Sequence, residues 1–345
     1  GATDVDLDGI KSKIRTVETN EGNLVADALL WQAEQLHSGF GVNAPDVAIQ
    51  NGGGIRNNSI ITAGTDISEL TTFDILPFAN FVCIAENITP GEFKEILENA
   101  VSRVEFVDGR FGQIAGFKFI WDPNGTPQEI DVNGNITTPG TRIVDVELDN
   151  GIKIVENGIV NPAAPGLNIA TIDFLTRGGD QYIHMDNSFT TLGVTYQQAL
   201  YNYIVNDLVG LISYSQYPSG GEGRITNLLE STNWTGAIDS DWFKTGNWTN
   251  GVPDATLEAI IPNVAKAMFP VIVNGNAATD ALTILAGASL EIGANGTLTA
   301  NGAVQNDGSF VITTDNTGNA GSFIDNGTLK GARSFSLSRD MMNTG

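Results

Sequence analysis

Near residue 230 the repeat of the apolar residues changes, and no single layered architecture accommodates both sides. Upstream, apolar stripes of helical period alternate with short β-branched runs. Downstream the helical stripes vanish and short pieces follow: "GASLEI", "GTLTA", "GAVQN", "GSFVI", "GSFID" and "GTLKG". Several open on glycines six residues apart, at Gly296, Gly302 and Gly308 and again at Gly321 and Gly327. Alternating apolar residues between glycine or asparagine turns read as stacked short strands of a β-solenoid, or as a β-sandwich with polar turns. The sequence therefore predicts two domains, a mixed α/β one over 1–230 and a smaller all-β, Trp/Gly-rich repeat region over 231–345. A chain of 345 residues with 41% hydrophobic residues is long enough for both.

Three helices stand out in the first part. In "TNEGNLVADALLWQAEQLHSG", Leu24, Val25, Ala28, Leu29 and Leu36 share one face, Thr19 or Asn20 can cap the start, and Gly39 can end it. "TPGEFKEILENAVSRV" has Thr89 and Glu92 in capping-box spacing, Pro90 at the first helical position, and an apolar stripe through Phe93, Ile96, Leu97, Ala100, Val101 and Val104. "TYQQALYNYIVNDLVGLI" is the third. Strands are read in "DVAIQ", "FVCIAENI", "IAGFKFIWD", "TRIVDVEL" and "LNIATI". In the second part, Trp234, Trp242 and Trp248 crowd into "NWTGAIDSDWFKTGNWTNGVPD", three of the five tryptophans.

Charge narrows the partners. Lys+Arg number 17 against 40 Asp+Glu, a net charge of −23. Such a surface repels phosphate backbones, which argues against nucleic acid, and suits solubility outside a cell or a small anionic ligand held by local arginines. The lone Cys83 cannot form an internal disulfide, and its apolar setting "NFVCIAENI" reads as a buried thiol. No Cys/His cluster has zinc spacing, and no apolar run approaches the ~18 residues of a membrane span. The opening "GATDVDLDGIKSKIR" lacks the basic start and apolar stretch of a signal peptide, and "RDMMNTG" carries no closing signal, so the chain reads as a stretch of a longer protein.

The densest motif is "DVAIQNGGGIRNN", residues 46–58. A strand that stops at Asn51 and enters Gly52-Gly53-Gly54 exposes bare amides and lets a ligand approach the main chain. Arg56 then offers a planar fork of donors suited to phosphate or vicinal hydroxyls. No Gly-Lys-Ser/Thr follows and the GxGxxG pattern is absent, so this is neither a P-loop nor a dinucleotide fingerprint. By itself the stretch reads equally as a glycine-rich connection.

Its company is more specific. Arg15 and "EGNLVADAL", then "NGGGIR", "LPFANFV", "FGQIAGFKF", "FLTRGGDQY" and "GEGRI" follow one another from about residue 12 to residue 226. In this order they closely resemble the C-terminal, nucleotide-recognising domain of the 5′-nucleotidase family, which includes UDP-sugar hydrolases and 2′,3′-cyclic-nucleotide phosphodiesterases. The resemblance implies an α+β, mixed-sheet fold for 1–230. It also implies roles for individual residues. Phe78 and Phe174 match the two aromatics that sandwich the base, and Asp180 the carboxylate that binds ribose hydroxyls. Arg15 and Arg56 match arginines on the ribose–phosphate side, and Asn51 the asparagine that contacts the base or neighbouring backbone. Gly53 and Gly54 belong to the same substrate-binding loop. One departure is visible: many members carry Gly-Gly-Asp-Gly before an aromatic, whereas Gln181 stands here before Tyr182, which would narrow the rim of the base slot.

The chemistry of these types agrees. Every base has a π-face, and stacking on one aromatic is worth roughly 1–3 kcal/mol. An ionised carboxylate only accepts hydrogen bonds, so it suits two ribose hydroxyl donors.

Hydrolysis in the family is implied to belong to a separate N-terminal domain, where two metal ions activate water. Such a site needs several histidines with carboxylates, but the two here, His37 and His184, sit in none of the metal contexts Gly-Asp-x-His, Gly-Asn-His-Glu or His-x-His. They read as capping and packing residues. No catalytic residue, metal ligand or cofactor is therefore assigned to this chain, and a divalent metal pair is expected in the N-terminal domain. The resemblance further implies a domain that swings about a hinge to deliver substrate. The expected function is nucleotide or nucleoside recognition within an exported 5′-nucleotidase-type hydrolase of nucleotide catabolism, periplasmic or at the bacterial surface. The expected partners are the nucleotide ligand, the metallophosphoesterase domain and, through 231–345, a cell surface or polysaccharide. The alternative is a non-catalytic surface or adhesion module that uses the domain as scaffold.

Overall fold

The computed structural model describes residues 1–338 apart from 187, 229–230, 256, 265–267, 316–317, 327–328 and 331–334. Gly327 and the closing "RDMMNTG" of the sequence reading lie outside the described residues. The chain divides into two compact units, Gly1–Asn227 and Leu228–Gly345.

In the first unit the elements that position the site are α1 (Asn20–Phe40), β1 (Val47–Asn51), α2 (Glu69–Ile75), β2 (Phe81–Ile88), α3 (Pro90–Ala100), β3 (Gly112–Ala115), β4 (Phe117–Trp121), β5 (Ile143–Leu148), β6 (Lys153–Glu156), β7 (Ile159–Val160), β8 (Leu167–Ile172), α4 (Asp173–Thr176), β9 (Phe189–Thr195), α5 (Tyr196–Asn206) and β10 (Ile225–Asn227). One sheet runs β9-β2-β8-β1-β3 and is mixed: β8 lies parallel to β1, its other pairings antiparallel. A second runs β7-β6-β5-β4-β10. β1 is buried along its whole length because α1 covers it, and its run of small and β-branched side chains fits a strand enclosed on both faces.

The helices begin where the caps say. Thr19 accepts from the amide of Gly22, and Thr89 and Glu92 form a reciprocal capping box ahead of Pro90. Leu24, Val25, Ala28 and Leu29 are buried, with Leu36 packed at the margin. The ends differ from the reading. α1 runs past Gly39 and stops at Gly41, the residue that takes the left-handed conformation (φ 70°). α5 ends at Asn206, and Leu211–Ile212 pairs instead with Ala2–Thr3 as a short strand. "IAGFKFIWD" is two strands in two sheets, because Gly116 (φ 83°) turns the chain between β3 and β4.

The second unit is all β and solenoidal, of about 4 turns. Its strands are β11 (Ser231–Asn233), β12 (Glu258–Ile261), β13 (Val271–Thr279), β14 (Leu282–Ile284), β15 (Ser289–Ala300), β16 (Val304–Asn306), β17 (Ser309–Thr313), β18 (Ser322–Asp325), β19 (Leu329–Lys330) and β20 (Phe335–Ser338). Two parallel sheets stack, β11-β12-β14-β16-β19 and β13-β15-β17-β20, with β18 pairing β15. The repeat is set by register rather than by the six-residue glycine spacing: Leu290 pairs Phe310, twenty residues on, and Leu298 pairs Phe323, twenty-five on. Inward columns of Ile261, Leu282, Ile284, Leu290, Ile292, Leu298 and Phe310 fill the interior. Trp234, Trp242 and Trp248 join this core, with ring centroids 5.0 and 4.8 Å apart and edge-to-face geometry. The clustered tryptophans thus pack inside and present no exposed aromatic platform.

Candidate functional site

The eight residues singled out from the sequence line one cleft of about 670 Å³, together with Ala79, Asn80, Asp108 and Gly109. That volume suits a ligand of nucleoside or nucleotide size. Five segments meet there: the turn before α1, the turn after β1, the loop between α2 and β2, the loop before β3 that carries Asp108 and Gly109, and the stretch from α4 to Asp180.

The glycines after β1 form a single 3₁₀ turn, Gly52–Gly54. Here the structure corrects the expectation of bare amides. The Gly52 amide donates to the Phe111 carbonyl (2.7 Å) and that of Gly53 to the Gly109 carbonyl (2.7 Å). Glycine is required for close approach: a Cβ on Gly52 would stand 2.5 Å from the Ile14 carbonyl oxygen, and one on Gly54 2.3 Å from Gln50 Nε2. The turn is therefore packed against neighbouring chain, and Gly53 and Gly54 face the cleft as floor.

The two aromatics stand clear of the core. Phe78 is 48% and Phe174 42% exposed, and neither stacks on another aromatic ring among the described residues. Burial does not account for them, so both rings are open to a planar guest. They are held at their bases. The Phe78 amide donates to Tyr196 Oη (3.1 Å), which donates in turn to the Gly54 carbonyl (3.2 Å). Asp173, beside Phe174, accepts from the Phe81 amide (2.9 Å) and so ties α4 to the start of β2. The Arg56 guanidinium lies 5.6 Å from the centre of the Phe78 ring, a cation–π distance. Gly179 leaves room for Phe174; a Cβ there would meet its ring at 2.6 Å.

Asp180 sits at φ 52°, ψ 27°, a left-handed backbone rare for a side-chain-bearing residue. Its Oδ2 accepts from Asn51 Nδ2 at 2.6 Å, and Asn51 Oδ1 accepts from Gln50 Nε2 at 2.8 Å. The Asn51 side chain is thus committed to Asp180 rather than to backbone, a finer arrangement than the sequence indicated. Burial pushes the Asp180 carboxyl above its usual range, with the Asn51 hydrogen bond opposing. Burial and then the like charge of Arg56 lower Arg15, while Asp180 and Asp108 pull the other way. Arg15 Nη1 donates to the Val107 carbonyl (3.3 Å), and its buried Nε has no partner among the described residues. The Arg15 turn is fixed by Gln113 of β3, whose Nε2 donates to the carbonyls of Ile14 (2.9 Å) and Val17 (2.8 Å).

Gln181 overturns one expectation. It also takes a left-handed backbone (φ 57°), but its side chain turns away and donates to the Ile130 carbonyl at 3.0 Å. It does not line the cleft, so it does not narrow a base slot. Sequence reasoning passed over Tyr196, Gln113, Asp108 and Gly109; the last two lie in "VDGRFGQ", directly before a quoted motif. His37 Nδ1 donates to the Val42 carbonyl (3.0 Å) and His184 meets Glu95 at 2.6 Å. Cys83 is buried, which raises its thiol. Among the described residues no three His, Cys, Asp or Glu side chains are grouped to hold a metal ion, and no helix is long and apolar enough to cross a membrane.

Residues 1–187 match the sequence model of the 5′-nucleotidase C-terminal domain. The chain belongs to this family. A second model, described as a domain of unknown function, matches residues 233–340. Among relatives, the trifunctional nucleotide phosphoesterase YfkN of Bacillus subtilis is 33% identical over 174 residues, 50% of this chain and 11% of the relative. UshA of Escherichia coli is 28% identical over 187 residues, 54% of this chain and 27% of the relative. The crystal structure of a 5′-nucleotidase precursor from Thermus thermophilus superposes with a TM-score of 0.52 at 26% identity, covering 66% of this chain and 39% of that one. This chain therefore spans less than half the length of each of these three proteins.

Proposed function

We propose that the first unit binds the nucleoside part of a nucleotide within a 5′-nucleotidase-type phosphoesterase. One observation carries the reading: two half-exposed phenylalanines, a hydrogen-bonded aspartate and two arginines border a single cleft. Phe78 and Phe174 stack the base, Asp180 accepts from ribose hydroxyls, and Arg15 and Arg56 meet the phosphate side. The relatives named above include a nucleotide phosphoesterase and a 5′-nucleotidase, which supports the substrate class. Cleavage of the phosphoester is assigned to a metal domain outside this chain; among the described residues no three His, Cys, Asp or Glu side chains are grouped to hold a metal ion. Export to the periplasm or cell exterior is part of the same proposal.

Titration of the 1–345 chain with adenosine, followed by NMR, tests the clamp. Shifts should appear at Phe78, Phe174 and Asp180 and weaken strongly in Phe174→Ala; unchanged binding by that variant removes Phe174 from the site. Incubation with AMP and divalent metal should release no phosphate, and metal-dependent release would refute the division of labour.

A further inference from the structure

The left-handed backbone at Asp180 and Gln181 needs something to hold it, since two consecutive residues with Cβ atoms disfavour that region. The Asp180 carbonyl accepts a hydrogen bond from Nδ2 of Asn99 (3.1 Å), the penultimate residue of α3, which is fully buried. Asn99 is itself oriented, because its Oδ1 accepts from Arg110 Nη1 at 3.2 Å. Arg110 is pinned in turn: its amide and Nε both donate to Asp108 Oδ1 at 3.1 Å, and its carbonyl accepts from Tyr182 Oη at 2.7 Å. The chain of bonds leaves α3, passes through Arg110 and returns through Tyr182 to the segment that carries Asp180. A second chain, from Gln50 through Asn51, grips the carboxylate from the other side.

We propose that Asn99 is a positioning residue that fixes the Asp180 backbone, and thereby aims its carboxylate for the ribose-like diol of a ligand. The diol half of this inference rests on the nucleoside reading of the cleft; the backbone half does not. Asn99 touches no ligand and acts through Asp180 alone. Removing its donor lets the Asp180–Gln181 pair relax toward commoner backbone angles, so the carboxylate leaves Asn51 and the cleft.

Asn99→Asp is the sharpest variant. It keeps an acceptor for Arg110 but turns an oxygen, not an N–H, toward the Asp180 carbonyl. Asn99→Ala serves if the aspartate fails to fold, because Arg110 Nη1 retains Ser102 Oγ at 3.3 Å. Two measurements on the full chain decide the matter. Without ligand, the Cα and Cβ chemical shifts of Asp180 should move away from left-handed values in either variant. With ligand, adenosine should bind roughly tenfold more weakly, the scale of one hydrogen bond to a charged group, while 2′,3′-dideoxyadenosine binds as to the parent chain. Gln181→Gly, which adopts the left-handed backbone at no steric cost, should recover part of the loss in the double variant.

Unmoved Asp180 shifts in both variants overturn the inference, as does an equal loss for both nucleosides, which would mark general destabilisation. A parent chain that binds adenosine and dideoxyadenosine alike defeats the ribose reading of Asp180 instead, and the ligand-free shifts then still judge Asn99.

Discussion

The two units reach a packed core by opposite routes. In the first, strand partners come from far apart in the chain, as where Ile169 of β8 pairs Val47 of β1. In the solenoid, most partners lie twenty to twenty-five residues on, and each turn repeats the task of the one before. The difference has chemical consequences. The first unit buries single polar side chains, each with its own specific set of partners, such as Asn51, Asn99 and Gln113. The solenoid buries columns of Leu, Ile, Ala and Phe, in which one residue resembles the next. Singular polar placement makes a site; repeated apolar layers make a support.

The largest expected effect tests the apolar side of that contrast. Phe310→Ala empties a layer of the solenoid interior beside Phe323 (ring centroids 4.9 Å) and should cost ~3–5 kcal/mol, read as a lower denaturant midpoint of the tryptophan signal. A smaller cost than a surface substitution shows would break the claim that stacked layers carry this unit.

The next tests a singular polar group. Glu21 is fully buried at the start of α1, and burial raises its pKa from 4.5 to about 8 despite a hydrogen bond from Asn57. Its Oε1 and Asn57 Oδ1 are both buried acceptors without partners among the described residues, and a proton on Glu21 would supply a donor there. Below pH ~4.5 the group is protonated folded and unfolded alike and stability is unaffected. Above that, the unfolded chain releases the proton and the folded chain keeps it, so stability falls until pH reaches about 8. Glu21→Gln keeps the hydrogen bonding and removes the titration. It should stabilise the first unit by on the order of 3 kcal/mol at pH 7 and by almost nothing at pH 4. Equal stabilisation at both values would rule out a proton on Glu21.

Loss of one face of the aromatic clamp comes third. Phe174→Ala should weaken adenosine binding by roughly 1–3 kcal/mol with little change in melting, because a ring 42% exposed contributes little to the core. Smallest is a cap. Thr89→Ala removes the acceptor for the Glu92 amide (3.3 Å) and should cost ~1 kcal/mol in thermal stability, leaving binding intact. A change in nucleoside affinity would tie the start of α3 to the cleft as firmly as its end.

Legibility followed the range of the forces involved. The caps at Thr19 and Thr89, the apolar stripes of α1 and α3, and the change of period near residue 230 are local patterns, so the residues alone announced them. The motifs also named the eight cleft residues, because each occurs in a short recognisable string. Three-dimensional structure decided what those strings could not. It showed that the amides of Gly52 and Gly53 in "NGGGIR" are spent on Phe111 and Gly109, that Gln181 faces Ile130, and that Asn99, Arg110 and Tyr182 stand behind Asp180. It also replaced a six-residue glycine rhythm by a solenoid turn of twenty to twenty-five residues. Periodicity and capping depend on neighbours within a turn or two, and the linear order contains them. The partner of a buried amide or carboxylate depends on which distant segments the core brings together, and only packing fixes that.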